Sequence, residues 1–536
     1  MKGQRPFNPT YKSNFMNNKI KQHIGAGWVI LSLIFFSCQT PEGPVNYYFD
    51  PSRGNDRNPG TSPKLPFKGL KKIRELNLNP GDSILLKSGA IFYDSLYISC
   101  KGAPGKPVVV GKYGGKSRPH IRGDASALQA VHIFNSEYLV IRDLEISNKG
   151  KKIRPHLSGL LVELKNYGVA RNILIDNLYI HDVYGSLIKG EGNPHKDAGG
   201  GQGIMIRNVQ GNGPDSIASR FDRLVVQNCY LKDCQRNGIM MWGNWIRKYW
   251  YPSRHVVIRN NVIDGIPGDG IVPVGCEAPL VEYNVMKNCP PTLLETEACD
   301  GIWPWSCDNA VIQYNIVSDH QSKVDGYGFD SDYNCTNSLF QYNLSFHNDG
   351  GFFLLCNSGG WPAEWSAGNK GTIARYNVSI NDGIRDEMQK GHYFSPVINC
   401  TGPVSNSVIE KNIFILIPAE KEQADRTLIC FSDWEGYPDS TFFRDNYIFT
   451  KEKYRAVELG KSTRTVLSGN FYAGTLMGVP EGFEKYSGPF SQTMWYGRND
   501  ENWNKLIRFI RDKTVMINGT EMNVADLIGA ETLKNQ

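Results

Sequence analysis

The stretch Asp269-Gly-Ile-Val-Pro-Val-Gly-Cys-Glu-Ala-Pro-Leu-Val-Glu-Tyr-Asn284 aligns without a gap on Asp300-Gly-Ile-Trp-Pro-Trp-Ser-Cys-Asp-Asn-Ala-Val-Ile-Gln-Tyr-Asn315, 31 residues later. A third copy, Gly328-Phe-Asp-Ser-Asp-Tyr-Asn-Cys-Thr-Asn-Ser-Leu-Phe-Gln-Tyr-Asn343, carries one extra residue before its cysteine. Weaker copies start at Gly203, Gly238, Gly351 and Gly383, each followed by Ile or Phe. Self-similarity of this kind marks a stacked-repeat architecture. Each unit holds three short apolar runs broken by Asn, Asp or Gly, too short for helices and suited to strands. Three strands in about 22 to 35 residues make one coil of a solenoid. The predicted fold is all-β: a single-stranded right-handed parallel β-helix of roughly ten coils with a cap at each end.

Stacked coils bring equal offsets about 4.8 Å apart, so identical side chains form ladders. Asparagine closes an alternating apolar run at 177, 228, 261, 284, 315, 343, 377, 412, 446 and 470. That column predicts an interior turn ladder, its amides bonding coil to coil. Cys276, Cys307, Cys335 and Cys356 fall near one offset and predict a buried thiol ladder; no CxxC pair or histidine partner favours a metal site. Asn334, Asn343 and Asn377 sit in glycosylation-like triplets, but two belong to the turn ladder.

Composition agrees with a folded, strand-rich chain. Of 536 residues, 40% are hydrophobic and 21% charged, which excludes disorder. Fifty-five glycines and 29 prolines disfavour a helical enzyme. A net charge of +6, with Arg and Lys dispersed, gives no footprint for nucleic acid. Gly199-Gly200-Gly201-Gln202-Gly203 lacks the strand-to-helix context and lysine of a phosphate loop.

The amino terminus reads as an address. Lys2, Arg5, Lys12, Lys19 and Lys21 precede an uncharged run at 24–36, shorter than the about 20 residues of a membrane span but of signal-peptide length. Cys38 follows Phe-Phe-Ser in the manner of a relaxed lipobox, which makes it the expected lipidated first residue. The expected location is outside the cytoplasm: lipid-anchored in the outer membrane or cell surface, or periplasmic, with the membrane touched only through the lipid. Twelve cysteines in an exported chain permit disulfides, with Cys289–Cys299 and Cys229–Cys234 the pairs close enough in sequence.

The expected segments are 1–38 for the signal and lipobox, 39–100 for the amino-terminal cap and first coils, 101–480 for the β-helix and 481–536 for the carboxy-terminal cap. Phe67, Leu70, Ile73 and Leu76 share one side of a helical stretch in the first cap. Trp503, Leu506, Ile507 and Ile510 do so in a helix over 502–513.

Alternation along the strands gives the candidate site. With Ile271, Ile302, Phe329 and Phe352 inward, the outward column runs Val272 and Val274, Trp303 and Trp305, Asp330 and Asp332, Phe353 and Leu355. Met240 and Trp242 extend it below. Aromatic rings beside carboxylates suit a sugar, which has a flat C–H face and a polar rim. Asp330 and Asp332, two residues apart on one strand, predict carboxyls about 6.5 to 7 Å apart, inside the window for an inverting glycosidase. They are the expected acid and base, with Asp300 as third carboxylate. Trp303, Trp305, Trp242, Trp361, His347, Asp269 and Asp325 are the expected substrate contacts. Asp269 and Asp300 have turn capping as their alternative role, and His347 a structural place in its turn. Long insertions at 189–201, 243–255, 288–299 and 357–371, carrying Trp245, Trp250, Trp361 and Trp365, are the expected rims. A carbohydrate-binding β-helix without catalysis is the alternative class; it needs the tryptophans but not the acids.

Tyr47-Tyr-Phe-Asp-Pro-Ser-Arg-Gly-Asn-Asp-Arg-Asn-Pro-Gly-Thr-Ser-Pro63, with Pro80-Gly-Asp-Ser-Ile-Leu-Leu-Lys-Ser-Gly89 and Gly105-Lys-Pro-Val-Val-Val-Gly111, resembles the opening of exported bacterial β-helix polysaccharide enzymes. Gly328-Phe-Asp-Ser-Asp332 with Gln341-Tyr-Asn-Leu-Ser-Phe-His-Asn-Asp-Gly-Gly-Phe352 resembles the β-helix glycoside hydrolases that include α-L-fucosidases and xylanases. The resemblance implies a glycoside hydrolase with catalytic acids on the central coils. The expected partner is a polysaccharide or oligosaccharide, the expected state a monomer, and no cofactor is expected to be required. Calcium-dependent β-helix pectate lyases are the second resemblance. They imply calcium on acidic ligands and a basic residue as proton acceptor, for which Lys323 is the neighbour of the acids.

Overall fold

The computed structural model describes residues 43–151, 154–186, 200–209, 216–294, 296–385, 395–416, 426–451, 453–486, 500–517 and 519–527. Strands stack in parallel on three faces, as the alternating runs predict. Among the described residues the second face holds fourteen strands in sequence order, from Ile91–Phe92 to Phe483–Lys485, and the first face seventeen. Fourteen coils replace the roughly ten expected. The uncounted ones lie toward the amino terminus, where the asparagine position is filled by Leu144, Leu178 and Cys229, all buried.

Eight of the ten asparagines form the predicted ladder. From Asn261 through Asn284, Asn315, Asn343, Asn377, Asn412 and Asn446, both the backbone N–H and the side-chain amide donate to Oδ1 of the next member, ending at Asn470, with distances of 2.9–3.1 Å. Asn177 and Asn228 are not members: each occupies the left-handed turn position (φ 53° and 57°) one residue earlier. In the central coils a tyrosine takes that left-handed place. Tyr283, Tyr314, Tyr342 and Tyr376 therefore stack outside the turn, with ring centroids 5.0, 5.0 and 5.6 Å apart. The Gly-Ile marker is also steric in origin. A Cβ on Gly238, Gly270 or Gly301 would lie 2.5, 2.6 or 2.3 Å from the carbonyl oxygen of the next glycine in the column.

The eleven described cysteines are all buried and free, so neither expected disulfide forms. Cys276, Cys307 and Cys335 stack in successive coils as predicted. Cys356 leaves that ladder, and position 369, an asparagine, continues it.

The third face is interrupted. Six strands run from Leu96–Ile98 to Ile271–Val272, and six more from Tyr327–Ser331 to Leu476–Met477. Between them Ile302 alone bridges Ile271 and Phe329. Pro273 and Pro304, which have no N–H to donate, stand where pairing stops.

At the amino end Leu70–Glu75 is a 3-10 helix burying Leu70 and Ile73. The helix Glu501–Ile510, capped by Asp500 Oδ1 on the Asn502 N–H (2.9 Å), buries the four predicted apolar residues. It packs sideways on the solenoid, against Tyr342, Leu344, Tyr376, Val378, Ile413 and Tyr447, so it covers the outer side of the second face. Among the described residues no helix is long and apolar enough to cross a membrane. Cys38 lies outside the described residues.

Candidate active site

Where the third face resumes, its outward side chains line a cleft of about 550 Å³. One column is Asp330, Leu354 and Asn399; the next is Asp332, Cys356, Thr401 and Ser432. Asp300, Trp303 and Asp325 enter from the preceding coil and its loop, and Tyr333 and Trp434 form the side walls. Phe329 is in the core, so Asp330 and Asp332 face out as alternation requires. One coil later the facing differs from the reading. Phe353 and Leu355 are core residues, while Leu354 and Cys356 reach the cleft. Phe329 pairs with Phe353, not Phe352, because Gly350-Gly351 adds a residue before the strand. Gly351 takes φ 138°, and a Cβ there would lie 2.5 Å from the Tyr327 ring.

Four carboxylates meet in the cleft at two levels of burial. Asp300 and Asp330 are 4% and 2% exposed, whereas Asp325 and Asp332 are only half-buried. One oxygen each from Asp330 and Asp332 and the Cys356 sulfur lie within 4.8 Å of one another, closer than strand spacing alone predicts. The thiol lies between the two acids: Cys356 Sγ donates to Asp332 Oδ1 at 3.0 Å and lies 3.8 Å from Asp330 Oδ1. Burial, then the charges of Asp330 and Asp332, push the Cys356 thiol well up, so it stays a donor at neutral pH. Asp332 Oδ1 also accepts the Tyr333 N–H at 2.7 Å. Two donors on one oxygen suit a carboxylate that carries its charge. Calcium takes oxygen ligands, and a protonated sulfur between these acids fits that ion poorly.

Asp300 and Asp269 have a structural task. Asn237 Oδ1 accepts the Asp269 N–H, Asp269 Oδ1 the Asp300 N–H, and Asp300 Oδ1 the Tyr327 N–H, at 3.0, 3.2 and 2.6 Å. This ladder climbs through the wall and ends at the cleft. Asp269 is fully buried and does not line it, so it holds Trp303 from behind, accepting the indole N–H at 3.1 Å.

The tryptophans are placed differently from the open wall that the sequence predicts. Trp303 lines the cleft but is only 2% exposed. Trp305 does not line it; it is buried beside Trp242, Trp245 and Tyr333 at 5.1, 5.4 and 5.3 Å. Two insertions seal it. Arg247 pairs with both oxygens of Asp308 (2.8 and 2.7 Å), and its N–H reaches the Trp365 carbonyl at 3.1 Å. Trp361 stacks behind Tyr333 at 5.2 Å, outside the lining. His347 also lies outside it, in a left-handed turn of the second face beside Asp319 (3.6 Å). The rim segment 187–199 falls outside the described residues.

Sequence reasoning missed Cys356, Tyr333, Asn399, Thr401, Ser432 and Trp434 as lining residues. Cys356 was hidden by its apparent ladder offset. Asn399 and Thr401 follow Asp382-Gly-Ile384 only after an insertion, Ser432 lies in a coil without that signature, and only the strand register places the three.

Comparison with known proteins bears on the architecture first. Residues 197–364 match the family described as the right handed beta helix region. The fold is a right-handed β-helix. The GH136 lacto-N-biosidase of Eubacterium ramulus has this β-helix at 24% identity, with TM-scores of 0.59 for the native crystal and 0.57 for the selenomethionine derivative. Each match covers 81% of this chain and 68% of that one. In sequence the β-helix is similar to the lacto-N-biosidase of Bifidobacterium longum subsp. longum, 27% identical over 71% of this chain and 29% of the relative. The chain thus spans under a third of that relative's length.

Proposed function

We propose that the protein is a glycoside hydrolase acting through the cleft's carboxylates on a carbohydrate end of one or two rings. One observation carries the reading: four carboxylates and the rings of Trp303, Tyr333 and Trp434 line one cleft, and no Lys, Arg or His is among its described lining residues. A volume near 550 Å³ falls in the range of small-ligand pockets rather than long polymer grooves. The likeness to lacto-N-biosidases supports the same class and sets the first substrates to try.

Burial divides the labour differently from a simple Asp330–Asp332 pair. Asp332, half-exposed and holding two donors, is the charged group, the nucleophile or base. Asp325, the other half-exposed acid, supplies the proton to the leaving oxygen. Asp330 and Asp300 lie beneath and set the field that separates the two roles.

The lyase alternative needs a proton acceptor that the cleft does not offer. Lys323 does not line it. The Arg385 guanidinium is engaged by the Asp325 carbonyl (2.6 Å), the Ser322 carbonyl and the Ser395 hydroxyl (2.9 Å). Burial, then Asp332, pushes the Tyr333 hydroxyl far up, away from a base's range. The test is a panel of oligosaccharides, including lacto-N-biosidase substrates, assayed for new reducing ends and for ultraviolet absorbance. Reducing ends without absorbance are expected. Binding without product would return the protein to the carbohydrate-binding class, and an absorbing unsaturated product would make it a lyase. The proposal extends to place: export, with lipid on Cys38, presents a monomer to extracellular glycans. Palmitate labelling that persists in Cys38→Ser would overturn the lipid anchor.

A further inference from the structure

Far from the cleft, on the outer side of the second face, His120, Glu145 and His181 stand on three successive coils. One ligand atom from each lies within 4.8 Å of the others. Glu145 Oε1 is 3.4 Å from His120 Nδ1 and 3.2 Å from His181 Nε2. Zinc–ligand bonds of about 2.0–2.1 Å in tetrahedral array give ligand–ligand edges of about 3.3 Å, so two edges of the triangle already have that length.

The opposite ring atoms are anchored. His120 Nε2 meets Ser147 Oγ at 2.8 Å, and His181 Nδ1 meets Asp182 Oδ2 at 2.8 Å. Asp182 is steadied in turn by Lys149 at 3.6 Å. An outer partner on each histidine, turning its other nitrogen toward a shared carboxylate, is the second layer found around protein-bound metals. Tyr179 stacks on His181 at 4.5 Å and limits its rotation. All three ligand residues are partly exposed, so an ion can enter and water can complete the coordination.

We infer that His120, Glu145 and His181 form a binding site for a divalent transition metal of the zinc class, clasping three coils of the solenoid. It is independent of the cleft, since none of the three lines it. Direct hydrogen bonding of the two imidazole rings to Glu145 is the competing account, and the two differ in what a metal does.

The full chain, stripped with chelator, is titrated with cobalt(II) and followed by visible absorbance, then with zinc in competition by calorimetry. One equivalent of cobalt giving intense tetrahedral bands, displaced by one zinc, is expected, with a melting temperature raised by zinc but not by calcium. His181→Gln and Glu145→Gln should abolish the bands while far-ultraviolet circular dichroism is unchanged, and Asp182→Asn should weaken zinc about 10–100-fold through the second layer. Zinc affinity equal in the parent and the His181→Gln chain, or cobalt bands surviving in both Gln variants, overturns the inference. If a Gln variant fails to fold, the Asp182→Asn titration decides, and an unchanged affinity there counts against the site.

Discussion

In the proposed mechanism Asp332 carries the heaviest demand of any side chain in the cleft, because two donors meet one of its oxygens and the group is half-exposed. General acid–base or nucleophilic help is worth about 10² to 10⁴-fold, so Asp332→Asn and Asp325→Asn should each lower turnover by at least about 10²-fold with unchanged melting. Asp330→Asn should act less through kcat and more through the pH profile. Near-normal turnover in the Asp332→Asn chain would remove this residue from the mechanism. Cys356 gives a finer test. Cys356→Ala takes a donor from Asp332 Oδ1, so the acid limb of the pH–rate profile should move upward, and Cys356→Ser should restore it. A profile identical in all three chains would reduce the thiol to packing.

The ladders explain which elements were legible in the sequence. Asn315 accepts from two groups of Asn284 and donates to Asn343 and the Val281 carbonyl, all buried, and to the part-buried Gln313 carbonyl. Truncating it leaves orphaned donors at about 1–3 kcal/mol each, so Asn315→Ala should cost at least about 2 kcal/mol by denaturant unfolding. Asn228→Gly, at an exposed left-handed turn, should cost nearly nothing, although both asparagines look alike in the sequence. A ladder needs only an identical side chain at an identical offset, which a sequence shows directly. Facing across a slip such as Gly350-Gly351 depends on backbone geometry, and the first coils were undercounted because leucine fills their ladder position without leaving a signature.

A second ladder, His320–Asn348–Asp382, holds a titrating member. Burial pushes Asp382 up to about 6, against donors from Ser379 and Asn348 that favour its charge. A raised carboxyl stabilises the fold fully below about pH 4, and that contribution is lost as pH rises through about 6. Asp382→Asn should therefore leave the free energy of unfolding unchanged at pH 4 and raise it at pH 8, by up to about 3 kcal/mol, measured by denaturant unfolding. Equal shifts at both pH values would refute this titration.

For the whole molecule, the carboxy-terminal segment matters as a cover more than as an end piece. Amphipathic spacing made Trp503, Leu506, Ile507 and Ile510 legible as one buried face, but spacing cannot say which surface that face meets. Removing residues 500–536 would expose Leu344, Val378, Ile380 and Ile413, with Tyr342 and Tyr376, as one apolar strip. The truncated chain should aggregate or bind a hydrophobic dye while keeping its strand spectrum, and a soluble, dye-silent monomer would show the cover to be dispensable. The docked helix sets Trp503 edge-on against Tyr376, 5.2 Å from it, and 5.9 Å from Tyr447. Light absorbed anywhere along the stacked tyrosines can pass from ring to ring and leave through that indole. The column thus feeds Trp503, and the share of tyrosine excitation that leaves as indole emission should fall when the last segment of the chain is removed.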